Sequence, residues 1–126
     1  LYAAENMGDK PVVVAVNTTG AFCVNEFEDK VDSILVGFDI DDTLFLEIVA
    51  GNYEPQGLLP VVMPKDMAAV EAQLEDVPRD TEPYTDADGN TYDFAFGLNW
   101  SGVINDERVA KYNVPALTEP ETQPVK

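Results

Sequence analysis

Apolar residues fall along this chain in short unbroken runs rather than in one long helical stripe. In KPVVVAVNTTG, Val12, Val13, Val14 and Val16 follow Pro11 without polar alternation and stop at a Thr-Thr-Gly turn signal. They predict a strand over Val12 to Val16, covered on both faces as in a parallel sheet with helices above and below. SILVGF repeats the pattern and predicts a second such strand over Ile34 to Phe38. Between them, AFCVNEFEDKVD predicts a short strand or turn at Ala21 to Val24, then a loose helical turn.

DDTLFLEIVAGN predicts a helix, with Asp41 or Asp42 capping its first N–H groups and Gly51 ending it. Only Thr43 and Glu47 interrupt Leu44, Phe45, Leu46, Ile48 and Val49, so this helix is expected to be largely buried. NYEPQGLLPVVMP carries Pro55, Gly57, Pro60 and Pro64, which forbid a regular helix and favour an extended, turning segment. Met67, Val70 and Leu74 return to helical spacing after Asp66 and predict a short amphipathic helix over Lys65 to Leu74. Asp88-Gly89 then marks a hairpin turn, followed by a last aromatic strand or turn. A strand, a connection, a second strand and a helix define an α/β fold. TEPETQPVK, residues 118–126, is polar and Pro-rich and is expected to be a flexible tail, leaving residues 1–117 as one domain.

Length agrees with that division, since 126 residues suffice for one compact core and not for two. Twenty-four acidic against seven basic side chains give a net charge of −17, which repels phosphodiester backbones and anionic lipid. Nucleic acid and membranes are therefore not expected as partners. The acid is spread along the chain, as on a solvated surface. No stretch approaches the roughly 20 apolar residues that cross a bilayer, so a soluble chain is expected. The opening LYAAENMGDK lacks an initiator Met and the order of a signal peptide, and a natural start further upstream is expected. The compartment is open. Cys23, the single cysteine, sits among apolar neighbours and reads as a buried small hydrophobe.

The chain has no histidine, which removes Ser-His-Asp and Cys-His machinery and every His-containing zinc site. Carboxylates, Tyr, Lys and oxygen-ligated metals are what is left. Asp39-Ile40-Asp41-Asp42-Thr43 directly after a strand resembles the first motif of haloacid-dehalogenase-type phosphatases, which implies Asp39 as nucleophile, Asp41 as acid/base and bound Mg²⁺. That chemistry also requires a Ser or Thr, a Lys and later carboxylates. Ser101 is the only downstream serine, and Lys65 is the only lysine at a suggestive position. Helix capping accounts for the same acids. DADGNTYD, Asp86 to Asp93, offers oxygens for Ca²⁺, but its glycine falls at the fourth place rather than the sixth and no Glu stands at the twelfth. A hairpin turn is the stronger reading. Tyr92, Phe94, Phe96 and Trp100 form an aromatic cluster that suits packing better than stacking on sugar rings.

A wider pattern runs through KPVVVAVNTTGAF, VDSILVGFDIDDTLFLEIVAGNYEPQGLLPVVMP and YDFAFGLNW. It resembles the later part of the C-terminal domain of family 3 glycoside hydrolases, the β-glucosidase-type enzymes. The family's G-x-x-x-P-x-G-x-L-P segment is matched by Gly51, Pro55, Gly57, Leu59 and Pro60. Its Y-x-F-G-x-G-L signature is answered by Tyr92, Phe94, Ala95, Phe96, Gly97 and Leu98, with Ala95 departing from the usual first glycine.

The resemblance implies part of a three-layer α/β/α sandwich in a retaining, exo-acting glycosidase. It implies that the nucleophilic Asp and the acid/base Glu both lie before this segment, so that no residue here is catalytic and substrate-binding residues are unknown. No metal or cofactor is implied. The expected partners are the upstream catalytic part of the same enzyme, a β-glucoside-type sugar in the complete enzyme, and a second copy of the chain. The isolated chain is expected to be inactive and to expose an unpaired strand edge. Two alternatives from other classes stand beside this reading: the Mg²⁺ phosphatase using Asp39 and Asp41, and a non-catalytic sugar-binding or scaffold module.

Overall fold

A computed structural model describes residues 2–74, 77 and 79–112. After a short helix α1 (Tyr2–Asn6), the chain enters β1 (Val13–Thr18), crosses through a 3-10 turn at Glu28–Lys30 and returns as β2 (Ser33–Phe38). The two strands pair in parallel, with Val13 opposite Ser33 and Thr18 opposite Phe38. Asp32 fastens the start of this pair, its carboxylate accepting from the Val12 N–H at 2.7 Å while its own N–H donates to the Val12 carbonyl at 2.9 Å. The α/β core expected from the apolar runs is present.

Helix α2 (Asp42–Val49) follows β2 and has both caps that its sequence promises. Asp41 accepts from the Thr43 N–H at 2.8 Å. At the other end Gly51, at φ +77°, turns the chain so that its N–H reaches Ile48 O and that of Asn52 reaches Glu47 O. These paired bonds satisfy carbonyls that a straight continuation would leave open, and the left-handed turn is what calls for glycine there. Phe45 packs over β2 at Gly37, where a Cβ would lie 2.7 Å from the Phe45 ring tip.

Burial corrects the sequence reading at two places. Paired residues of adjacent strands share a face, so Val13, Ala15 and Asn17 lie on the face of β2 that α2 covers. All three are exposed, Val13 by 40%. The strand expected to be covered on both sides is thus open on one, because α2 sits over β2 and leaves the β1 positions bare. Similarly α2 was expected to be largely buried, but only Phe45 is, while Leu46 is 69% and Val49 58% exposed. An all-round apolar helix needs contacts all round, and the described residues supply them on one side.

The remainder is an irregular ribbon held by backbone hydrogen bonds between distant segments. Leu59 donates to Phe96 O at 2.7 Å and its carbonyl accepts from Ala95 at 2.8 Å; Met63 donates to Tyr92 O and accepts from Tyr84. The prolines keep 55–64 extended, which is the conformation this pairing requires. Met63, at the junction, is one of the most deeply buried side chains, with Val24; Val77, Ala95 and Ile104 are also buried. Helix α3 (Met67–Glu71) is capped by Asp66, which accepts from the Ala69 N–H, but it is shorter than expected. The chain leaves it at Leu74, whose N–H donates to Asp80 at 2.6 Å. The Asp88-Gly89 turn forms with Gly89 at φ +85° and a Thr85–Thr91 bridge. A small hairpin, β3 (Leu98–Asn99) and β4 (Gly102–Val103), and a helix α4 (Glu107–Tyr112) complete the described chain. No strand forms at Ala21 to Val24, where a turn and the 3-10 segment stand instead. The tail expected at 118–126 lies outside the described residues.

Candidate functional site

The C-terminal ends of β1 and β2 open into a polar cleft of about 390 Å³ lined by Asn17, Thr18, Thr19 and Asp39. In α/β proteins this is the end of the sheet where ligands bind, because the loops that leave the strands diverge there. Asn17 organises it. Its amide nitrogen donates to the Ile40 carbonyl at 2.8 Å and to Asp42 at 3.2 Å, and its oxygen accepts from the Ile40 N–H at 3.2 Å. The loop between β2 and α2 is therefore clamped to the end of β1. Thr18 is turned inward, its hydroxyl donating to Gly20 O at 3.0 Å and accepting from the Gly20 N–H at 3.2 Å. Thr19 and Asp39 remain exposed at the mouth, with Asp39 in the left-handed region at φ +55°.

Of the residues singled out for phosphoryl chemistry, Asp39 faces this cleft. Asp41 is engaged as the helix cap. Thr43, donating from its hydroxyl at 2.6 Å and from its backbone N–H, holds the Asp41 carboxyl below its ordinary range. Lys65 lies elsewhere, paired with Glu82 at 2.7 Å. In the Asp86 turn, one carboxylate oxygen accepts from the N–H groups of Asp88 and Asn90 and the other from the Asn90 amide and the Tyr92 hydroxyl. Burial would raise its carboxyl, but these donors outweigh it and hold Asp86 below the usual carboxylate range. Among the described residues no group of three or more His, Cys, Asp or Glu converges on a metal position.

The aromatic cluster is mostly packing, as expected for Tyr92, Phe94 and Phe96. Tyr92 stacks on Phe96 at 5.3 Å and meets Tyr84 edge-on at 5.5 Å, while Phe94 meets Tyr112 edge-on at 5.9 Å. Trp100 departs from it, standing 60% exposed at the tip of the β3–β4 hairpin. Glu28, which nothing in the sequence marks, accepts from the Tyr84 hydroxyl at 2.8 Å and the Tyr92 hydroxyl at 3.2 Å. Burial first, then hydrogen bonding to Glu28 and its charge, push Tyr84 up to about 12; burial and the charges of Glu28 and Asp86 also raise Tyr92.

A second concavity of about 800 Å³ lies between the 21–26 loop, the 60–64 segment and α3, with Phe22, Val61, Val62 and Phe94 on its walls. Cys23 lines it, half-buried rather than fully buried, 3.8 Å from the Met67 sulfur.

The two glycine-bearing segments of the resemblance meet directly. Gly97 lies so close to Gly57 that a Cβ there would overlap the Gly57 carbonyl oxygen, and the Leu59 bonds to Ala95 and Phe96 lie alongside.

The chain is similar to one region of proteins named as β-glucosidases, which bears out the resemblance read from its motifs. Beta-glucosidase C of Emericella nidulans is 36% identical over 72 residues, 57% of this chain and 12% of the relative. Proteins named "Probable beta-glucosidase C" from Aspergillus flavus and Aspergillus oryzae are each 31% identical over 91 residues, 72% of this chain. The chain spans about 12% to 13% of the length of these curated relatives. No protein-family model matches it, and no solved structure gives a significant match.

Proposed function

We propose that this chain is the later part of the C-terminal α/β/α sandwich domain of a family 3-type retaining glycosidase acting on β-glucoside-type sugars. The observation that carries the reading is the seating of Gly97 on Gly57, which joins the two motif segments in one local structure, in a chain similar to proteins named beta-glucosidase C. Its part in the enzyme is to extend the sheet, pack on the upstream catalytic portion and shape the cleft. The bare face of β1 and the exposed Leu46 and Val49 are the surface that further layers would cover, as burying apolar side chains drives such packing.

A retaining mechanism needs two carboxyl groups about 5 Å apart, one attacking the anomeric carbon and one protonating the leaving oxygen. The reading puts both upstream and gives Asp39, Asp41 and Glu47 no catalytic role. The test is hydrolysis of an aryl β-glucoside by the chain alone and by the chain joined to the upstream portion of the Emericella nidulans relative. Turnover is expected only from the joined protein. Turnover by the isolated chain, or a folded joined protein without any, overturns the assignment.

A further inference from the structure

Asp39 occupies a backbone conformation that side chains disfavour, at φ +55°. Asp and Asn tolerate it better than most residues, yet glycine tolerates it best. Such a position is normally offset by a bond from the side chain. Here none of the described residues makes a hydrogen bond or ion pair with the Asp39 carboxylate, although its neighbours Ile40 and Asp42 are both pinned by Asn17. The carboxylate is thus held on a clamped loop at the mouth of the cleft with its acceptor oxygens turned to solvent. Across the strand ends, Thr19 presents a hydroxyl that both donates and accepts.

We propose that Asp39 and Thr19 form a binding subsite for a neutral polyhydroxyl ligand, a pyranose ring presenting adjacent hydroxyl groups. A carboxylate accepts from two adjacent hydroxyls at once, and the threonine hydroxyl complements it as donor. A divalent cation is the poorer fit. Hard cations take six or more oxygens, commonly from several carboxylates, and the cleft lining includes one carboxylate, with the Asn17 amide already engaged. The net charge of −17 disfavours anionic ligands as well. The choice of a sugar deepens the glycosidase reading and rests on it, whereas the position of the subsite rests on the cleft alone. So few exposed contacts correspond to dissociation constants of order millimolar.

The experiment is titration of the ¹⁵N-labelled full chain with methyl β-glucoside, followed by amide chemical shifts, beside titrations with Ca²⁺ and Mg²⁺. Saturable sugar-dependent shifts are expected at Thr18, Thr19 and Asp39. Asp39→Gly relieves the backbone while removing the carboxylate, so it keeps the fold, checked at the amides of β1 and β2, and is expected to bind the sugar at least tenfold more weakly. Asp39→Asn, which keeps one acceptor oxygen, is expected to fall between. Absence of sugar-dependent shifts, their persistence in Asp39→Gly, or a response at these amides to the cations alone each overturns the proposal. Failure here with turnover by the joined protein removes the subsite and leaves the glycosidase reading. Sugar binding without turnover by the joined protein does the reverse.

Discussion

Gly97 packs its α-carbon against the carbonyl oxygen of Gly57, leaving no space for a side chain, whereas a Cβ at Gly57 would meet nothing within 4 Å. The contact is asymmetric, and so are its consequences. Gly97→Ala forces the two segments apart and is expected to destabilise the chain by about 1–3 kcal/mol, the usual range for overpacking. Gly57→Ala is expected to change stability by less than about 1 kcal/mol. Urea unfolding of both variants checks the pair, and equal losses would contradict the geometry.

Ala95 sits between two bonded neighbours at φ +67° and is buried. A β-branched side chain is strained in that conformation and has no room, so Ala95→Val is expected to lose more than about 2 kcal/mol. Ala95→Gly relieves the backbone but gives up a buried methyl group worth about 0.8 kcal/mol and adds unfolded-state entropy. Its net effect is expected within about 1 kcal/mol of zero, measured by the same unfolding curves.

Asp41 has its carboxyl held below the ordinary range by Thr43. A depressed folded value means that its stabilisation is present above the unfolded value and is lost as pH falls through the folded one. Asp41→Ala is expected to lower the melting temperature at neutral pH and to leave it unchanged in strong acid. Asp41→Asn, which still accepts from the helix N–H groups, is expected to recover most of the loss. Thermal melts at the two pH values distinguish a cap from an inert surface acid.

Tyr84 has the opposite sign. Its folded value is raised from 10.0 to about 12, chiefly by burial and then by its bond to Glu28. Between those values the unfolded chain ionises first, so the contribution is intact below pH 10 and declines as pH climbs toward 12. Tyr84→Phe is expected to flatten that decline, read by unfolding across the alkaline range. Spectrophotometric titration should show Tyr84 ionising after an exposed tyrosine such as Tyr53.

Trp100 is the sole tryptophan and is largely exposed, as are Leu46 and Val49. In the isolated chain its emission is expected to resemble that of free tryptophan and to be readily quenched by acrylamide. Leu46→Lys with Val49→Lys is expected to leave the isolated chain folded, because neither side chain is buried, and to weaken assembly with the upstream portion at least tenfold, followed by co-purification. Unimpaired assembly would move the interface away from α2.

Much of the local architecture was legible because its causes are local. Unbroken β-branched runs marked both strands, Asp41 and Gly51 marked the ends of α2, and Asp88-Gly89 marked a turn. What failed was burial, since an apolar residue declares a preference for cover without supplying it: Leu46, Val49 and Val13 stay exposed. Helices α1 and α4 carried no strong periodic signal and were not anticipated. The candidate site was half legible. Asp39 stood out in its motif, but Asn17 and Thr19 belong to the loop side of a different strand and came beside it only through the parallel pairing.

By itself the sequence determined the types and ends of the main elements, the exclusion of histidine chemistry and the likeness to β-glucosidase-type proteins. These depend on residue identity and short-range geometry, which the chain carries wherever it goes. Only tertiary structure decided that Gly57 and Gly97 touch, that Asn17 clamps the loop of Asp39, and that one face of β1 lies bare. Those are facts of distance between segments far apart in the chain, and no local preference encodes them.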